Sequence, residues 1–471
     1  MSTDMIEPAA GDPRLRADPL ADDTIDRIFG DWTGGTPPLS RWEAIAVLER
    51  ALASWETNGT LDTWQADAAT PAPIAAALDD YVRQARVLPA WLDAGKIGCA
   101  EAVFAGAGML SFTLLACASL PEAAIAVDPL AEPFEDRARS AAALQFALLL
   151  PGGLLDPGGA GVAEVLRLRL THALLRHLVV RGNPAEALAH GAAVPALLPE
   201  GPDRYRTLFA RGWDVRANGL PRHQEELATA LLSSHYVFLR GLRRLGQRLN
   251  KEEEGAWLHA WNVVGHLLGI EQALLPATMK EAAALFARLQ RTAQAAAGAR
   301  YAAVGRKNGR KHGVAAGKAA DPRPALAAAM MHAMAGETGS RARKQFPLLL
   351  ARRLCGPATS LALGLDDQLP FVPRAAFALG MGGARIVDTL ARLLYPRLSI
   401  RRLAARILGR RLALRFVADP ARPLPEALLR QVDGALRDWD ADPAAPGWAN
   451  AIERRFATRR MRRSGREAAA C

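Results

Sequence analysis

Residues 167–177, RLRLTHALLRH, carry an imidazole between two guanidiniums: Arg169 lies three residues before His172 and Arg176 four residues after it. On a helix those offsets place all three on one face, with Leu168 and Leu175 bordering the stripe. A guanidinium keeps its charge at any accessible pH and is costly to bury alone, so the two arginines require an anionic partner. Neutral imidazole is a good ligand for iron and other metals. One group meets both demands: haem, whose iron takes an imidazole and whose propionates take cations. Carboxylates of neighbouring helices would satisfy the arginines equally well, leaving His172 as a core histidine. Spacing alone leaves both answers open.

Other chemistries are excluded more firmly. The chain has no H-E-x-x-H, no G-x-S-x-G and no Walker-type G-x-x-x-x-G-K-[ST], and neither GAGML nor GMGGAR is a dinucleotide fingerprint. No glutamate precedes a histidine by three residues, which removes the ferritin-like di-iron bundle. Cys99, Cys117, Cys355 and Cys471 are scattered, forming no zinc spacing and no C-x-x-C-H haem-attachment site. Scattered cysteines in a chain this long also fit a reducing compartment.

The elements that must position these residues are helices. Ala, Leu and Arg dominate the 471 residues, aromatics make up 6%, and β-branched residues seldom run together. The reading is all-α: a large multi-helix domain with a globin-like pocket. An irregular lead-in over 1–40, rich in Asp and Pro, precedes a helical core over 41–300. Within it, helices are predicted near 41–55, 73–87, 97–120, 134–150, 160–180, 224–249, 252–270 and 277–298. Between them, RGNPAEALAHG offers Asn183 as cap, Pro184 in the first turn and Gly191 as stop. The segment 301–324, basic and rich in Gly and Ala, reads as a loop or linker. Helices near 341–355, 371–394, 398–416, 423–438 and 446–462 are expected to pack on the core, and 451–471 forms a basic tail.

Net charge is +11, with much of the excess in LSIRRLAARILGRRLALRF (398–416) and ERRFATRRMRRSGRE (453–467). These segments read first as a solvated helix face and a fraying tail; the alternative, with no nucleic-acid motif present, is contact with an anionic membrane surface through the basic C-terminal helices. Residues 102–120 contain no charge and approach the length of a bilayer span. Their Gly, Ser and Thr content fits a buried core helix instead. The N-terminus lacks the apolar core of a signal peptide, so a cytoplasmic location is expected.

Histidines elsewhere have humbler readings. His259, Asn262 and His266 share a face next to Trp257 and Trp261, which suggests a hydrogen-bonded polar stripe. His223 falls at the entrance to a helix starting near Gln224. His177 lies about 140° around the helix from His172 and cannot share its role.

A set of ordered motifs resembles the latex-clearing protein or rubber oxygenase family, which includes the MpaB-type oxygenases. These are SLPEA (119–123), PGGLLDPGGAGVAEVLRLRLTHALLR (151–176), LPRHQEELATALL (220–232) and WLHAWNVVGHLLGIEQALLP (257–276). The resemblance covers roughly residues 100–300. It implies an all-α oxygenase domain with non-covalent haem b and His172 as the proximal iron ligand. Arg169 and Arg176 would orient the haem or its pocket. Glu122 would be the catalytic base, drawing an allylic proton while dioxygen reacts on the iron face opposite His172. The family also carries Arg, Lys and Thr on the preceding helix. Here EDRARSAAALQFALLL (135–150) offers Arg137 or Arg139 for the arginine but small residues for the other two. That departure predicts an iron whose sixth site is open rather than lysine-capped. An intracellular enzyme cannot act on an extracellular polymer, so the implied substrate is a small unsaturated isoprenoid or lipid-like molecule, with O2 as co-substrate. A haem protein that senses or stores, and a haem-free lipid-binding relative, are the alternatives.

Overall fold

The structure, a computed structural model, describes residues 12–30, 39–108, 143–182, 203–247, 249–292, 341–356, 360–361, 369–395, 399–401, 403–404, 406–407, 426–437 and 446–452. No strand occurs among them, and the fold is all-α.

The first helix lies where an irregular lead-in was expected. Asp18 caps α1 (Pro19–Phe29), its side chain accepting from Ala21 N–H, and Pro19 occupies the first turn, where a missing N–H costs nothing. Ala21, Ile25, Ile28 and Phe29 then form its buried stripe. The Asp-Pro pair that suggested irregularity is a helix start.

Four helices follow: α2 (Arg41–Ala53), closed by a Ser40/Glu43 capping box, α3 (Asn58–Asp62), α4 (Ala72–Ala85) and α5 (Ala94–Val103). A π-turn, Phe104–Gly108, extends α5, so the helix predicted over 97–120 begins earlier and changes its winding at Phe104. Residues 109–142 lie outside the described part, and with them the remainder of that apolar stretch and most of the 134–150 helix. No helix among the described residues is long and apolar enough to cross a membrane.

The central element is α6 (Gly161–Val180), which carries His172. Its apolar residues are buried nearly all round, and it touches α1, α3, α7 (Asp203–Arg211) and α10 (Lys251–Leu267). Its own N-cap position, Ala160, offers no side chain for capping. Asn58 of α3 does this from 104 positions away, its Oδ1 accepting from Val162 N–H at 2.9 Å. The Asn58 amide donates in turn to the carbonyls of Gly153 and Asp156. The loop between is rich in glycine for steric reasons. Gly152 has φ +74°, and a Cβ on Gly153 would lie 2.3 Å from the Ala147 carbonyl oxygen. Tyr81 of α4 donates to the Leu166 carbonyl at 2.9 Å and fixes the middle of α6.

The helix expected over 224–249 is two helices, α8 (Gln224–Leu232) and α9 (Phe238–Leu245), joined by a π-turn at Ser233–Val237. Capped by an Asn250/Glu253 box, α10 packs along α5. Residues 279–292 are helical; 293–340, including the proposed linker, lie outside the described part. Later come α11 (Arg341–Cys355), α12 (Phe371–Leu394) and α13 (Glu426–Arg437). The expectation that these helices pack on the core holds only in part. One edge of α12 meets the core through Phe377 and Met381 while most of its length is exposed.

Candidate active site

His172 sits in the second half of α6, half-buried and making no hydrogen bond among the described residues. Burial drives its pKa well below the usual 6.5, and the positive charges of Arg222, Arg176 and Arg204 push the same way. The imidazole is held neutral, with lone-pair capacity uncommitted.

Arg169 and Arg176 flank it, both buried, but the anions they require are carboxylates of α1. Arg169 meets Asp18 through Nε–Oδ2 at 2.5 Å and Nη2–Oδ1 at 2.7 Å, and its Nη1 donates to the Leu267 carbonyl at 3.1 Å. Arg176 binds Asp22 Oδ1 through Nε at 2.9 Å and Nη2 at 2.7 Å, while its Nη1 donates to the carbonyls of Pro221 and Arg222. Each of the three nitrogens of both guanidiniums thus has a protein partner, with Asp18 and Asp22 standing where the sequence reading set haem propionates. Their place in the site is to fix the helix that carries His172.

The same pattern runs one turn further. His177, on another face of α6, approaches Asp26 with Nδ1 at 3.0 Å, and Arg181 reaches the same oxygen at 3.0 Å. Asp18, Asp22 and Asp26 stand four residues apart along α1 and meet Arg169, Arg176 and His177 in ascending order. The two helices therefore run in the same direction, joined by a ladder of charge.

A second layer comes from the segment after α7. Arg222, with φ +55°, is the one non-glycine residue of positive φ among those described. Its N–H donates to Glu226 at 2.8 Å and its carbonyl is held by Arg176, so the loop that sends its charge toward His172 is pinned by the neighbouring arginine of α6. Gln224, fully buried, ties this loop to two others: its amide donates to the carbonyls of Ala17 and Gly269, and its oxygen accepts from Glu271 N–H. His223 is the N-cap residue of α8, as its position suggested.

The polar stripe of α10 also takes its expected form. His259 Nε2 accepts from Asp93 N–H at 2.9 Å, Asn262 donates to the Pro276 carbonyl, and His266 Nε2 lies 3.2 Å from the Val87 carbonyl, with Trp91 packed edge-on to both rings. The stripe serves to join α10 to the α4–α5 connection. Glu122, Arg137 and Arg139 lie outside the described residues. No group of three or more His, Cys, Asp or Glu residues that could hold a metal forms among the described residues.

Sequence reasoning missed the aspartates of α1, Arg222 and two further groups. His235, in the π-turn, is fully buried with neither ring nitrogen hydrogen-bonded, and burial pushes its pKa down to about 3. Glu101 of α5 accepts from Gly152 N–H at 3.1 Å. Burial raises its carboxyl to about 7, against the lowering effect of that hydrogen bond and with help from Asp156.

Comparison with known proteins agrees with the motifs. Rubber oxygenase of Streptomyces sp. (strain K30) is 24% identical over 263 residues, 52% of this chain and 57% of that protein, so the chain spans a little over half the length of its curated relative. A solved structure of latex clearing protein in the closed state aligns over 91% of both chains, with 18% identity and a TM-score of 0.47. The family model described as ER-bound oxygenase mpaB/B'/Rubber oxygenase, catalytic domain, matches residues 100–386, more than half of the chain, and the protein belongs to that family.

Proposed function

We propose that the protein is a haem b-dependent oxygenase acting on a small unsaturated, hydrophobic substrate of isoprenoid or lipid-like class. The observation that carries this reading is His172: a half-buried, neutral imidazole with no hydrogen-bond partner among the described residues, on a helix inside the region that matches the family. His235 also lacks hydrogen bonds, and His172 is set apart from it by its accessible surface and its place between Arg169 and Arg176 in the family-type motif. Its donor chemistry fits haem iron, which prefers neutral imidazole. When bound, haem would supply the redox centre for dioxygen chemistry.

The chain's own residues divide the remaining work. His172 would hold the cofactor. Asp18–Arg169 and Asp22–Arg176 fix the rotation of α6 and hence the direction of the imidazole, as outer partners orient a ligand. Arg222 and Arg204 place positive charge near the ring, which helps to keep the imidazole neutral. Glu122, in SLPEA, is proposed as the base that accepts an allylic proton, and Arg139, or its neighbour Arg137, takes the place of the family's arginine before the ligand helix. We further propose a cytoplasmic location, a reading supported by the scattered spacing of the four cysteines.

The test is a comparison of variants. Purified from a haem-replete host, the wild type should be coloured and carry about one iron per chain. His172→Ala should lose stable haem. Glu122→Gln should keep the haem spectrum while oxygen consumption with an unsaturated isoprenoid falls by roughly 10²–10⁴-fold. A colourless wild type that takes up no haemin overturns the reading, as does a His172→Ala protein with full haem content.

A further inference from the structure

The outer face of α12 is the reverse of what a helix on a soluble surface should show. At 100° per residue, Phe371, Val372, Leu379, Ile386, Leu390, Leu393 and Leu394 fall within an arc of about 140°. All seven are exposed, with Leu379 at 77% and Leu394 at 78%. Phe377, Met381 and the buried Asp388 occupy the opposite side and face the protein. The apolar stripe is therefore turned outward along a helix about 36 Å long. Monomers seldom expose a continuous apolar patch beyond about 300–600 Å².

Charge identifies the occupant. Arg385 and Arg392, both exposed, lie along one border of the stripe, with half-buried Arg374 in line with them. The segments 341–355 and 371–394 together hold eight basic residues and one acid, Asp388, which is already bound by Arg392 Nε at 3.2 Å and by Arg401, Ser399 and the Arg401 backbone. A second copy laid against this face would bring two rows of arginine together. Anionic headgroups would neutralise them. At the C-terminal end of the helix, half-exposed Tyr395 and Trp448 pack edge to face at 6.4 Å, the amphipathic ring type favoured at a membrane–water boundary.

We propose that α12 is an in-plane membrane anchor, seating its Phe371–Leu394 stripe among the acyl chains of an anionic bilayer while the bordering arginines contact headgroups. The helix lies on the membrane rather than across it, at the depth of about 5–10 Å usual for such anchors. This holds whether or not the chain carries haem.

Flotation of the full-length protein with phosphatidylcholine vesicles, with and without phosphatidylglycerol, tests the proposal. Wild type should float with the anionic vesicles, less so in high salt, and amide exchange in 371–394 should slow when vesicles are added. Leu379→Glu with Leu390→Glu should lower partitioning on the order of 100-fold or more with the melting temperature unchanged, since both positions are exposed. Failure of the wild type to float, equal flotation of the double variant, or exchange protection confined to segments other than 371–394 would overturn it. So would a solution dimer that the double variant dissociates with no vesicle binding by the wild type, which would assign the face to a second copy. Should the double variant misfold, the wild-type exchange measurement decides alone.

Discussion

Arg169 and Asp18 face each other as a fork on a carboxylate, sealed from solvent, although 151 positions separate them. The third nitrogen of the guanidinium donates to the Leu267 carbonyl, and a Cβ on nearby Gly269 would sit 2.7 Å from both Arg169 Nη2 and Asp18 Oδ2. Three segments, α1, α6 and the end of α10, are thus fixed at one point, one helical turn from His172.

Asp18→Asn should be among the most destabilising single changes in the chain. It leaves a buried guanidinium without its counter-charge, which typically costs about 3–5 kcal/mol. Replacing both partners, Asp18→Asn with Arg169→Met, should recover much of the loss. Urea unfolding of the two variants measures both. A loss below about 1 kcal/mol in Asp18→Asn would mean that the pair is not the tie described here.

Acid should unfold the protein well above the carboxylate range. Burial holds His177 and His223 at about 4 and His235 at about 3. A histidine with its folded pKa below 6.5 binds protons in the unfolded chain first, so stability is unaffected above that value and falls as pH drops from about 6.5 toward 4. His235→Phe, which removes the ring with no hydrogen bond to lose, should flatten part of that fall. Melting temperatures from pH 8 to 4 provide the check; parallel curves for the two proteins would contradict the burial of His235.

Much of this was legible before the fold was known, and the gaps have physical causes. A helix over 160–180 with His172 between Arg169 and Arg176 follows from local spacing, which the chain carries in full. The partners of those arginines do not, because long-range ion pairs have no local period. Even so, Asp18, Asp22 and Asp26 at four-residue intervals, opening on Asp-Pro, formed a readable acidic helix face. Its Asp and Pro content was mistaken for irregularity. Asn58 as a remote cap of α6 and the positive φ of Arg222 left no sequence signal, since each is imposed by packing between distant segments. The outward apolar face of α12 had the periodicity of an ordinary core-facing helix, and only the fold shows which way it is turned.

Glu101 should behave in the opposite sense to the histidines. A carboxyl raised to about 7 in the folded protein is ionised first in the unfolded chain, so its contribution to stability is lost as pH rises from about 4.5 through 7. Glu101→Gln should gain stability over the wild type at pH 8, and the gain should vanish near pH 4.5. It should also hold the Gly152 N–H through its amide oxygen. A gain that persists unchanged at low pH would trace to something other than the buried charge.

Arg222 offers the sharpest separation of local strain from site electrostatics. Its positive φ costs about 1 kcal/mol or more for a residue with a Cβ, and glycine would relieve that strain at the expense of greater freedom in the unfolded chain. The backbone part of Arg222→Gly should therefore amount to no more than about 1 kcal/mol, which Arg222→Asn, keeping a side chain at the same φ, helps to separate from the loss of the guanidinium. Its effect on His172 should be distinct. Arg222 ranks after burial among the causes that keep the imidazole neutral, so removing the guanidinium should raise the His172 pKa part of the way toward its usual value. NMR titration of the haem-free protein reads that shift directly. Arg222→Lys should keep the low pKa and the strain together, while Arg222→Asn, which tolerates the backbone and lacks the charge, should match Arg222→Gly. A proton competes with iron for the same nitrogen, and haemin binding by Arg222→Gly should accordingly weaken more steeply than that of wild type as pH falls. An unchanged His172 titration in both neutral variants would show that the charge of Arg222 does not reach the ring, and would leave its strained backbone as a feature of the loop alone.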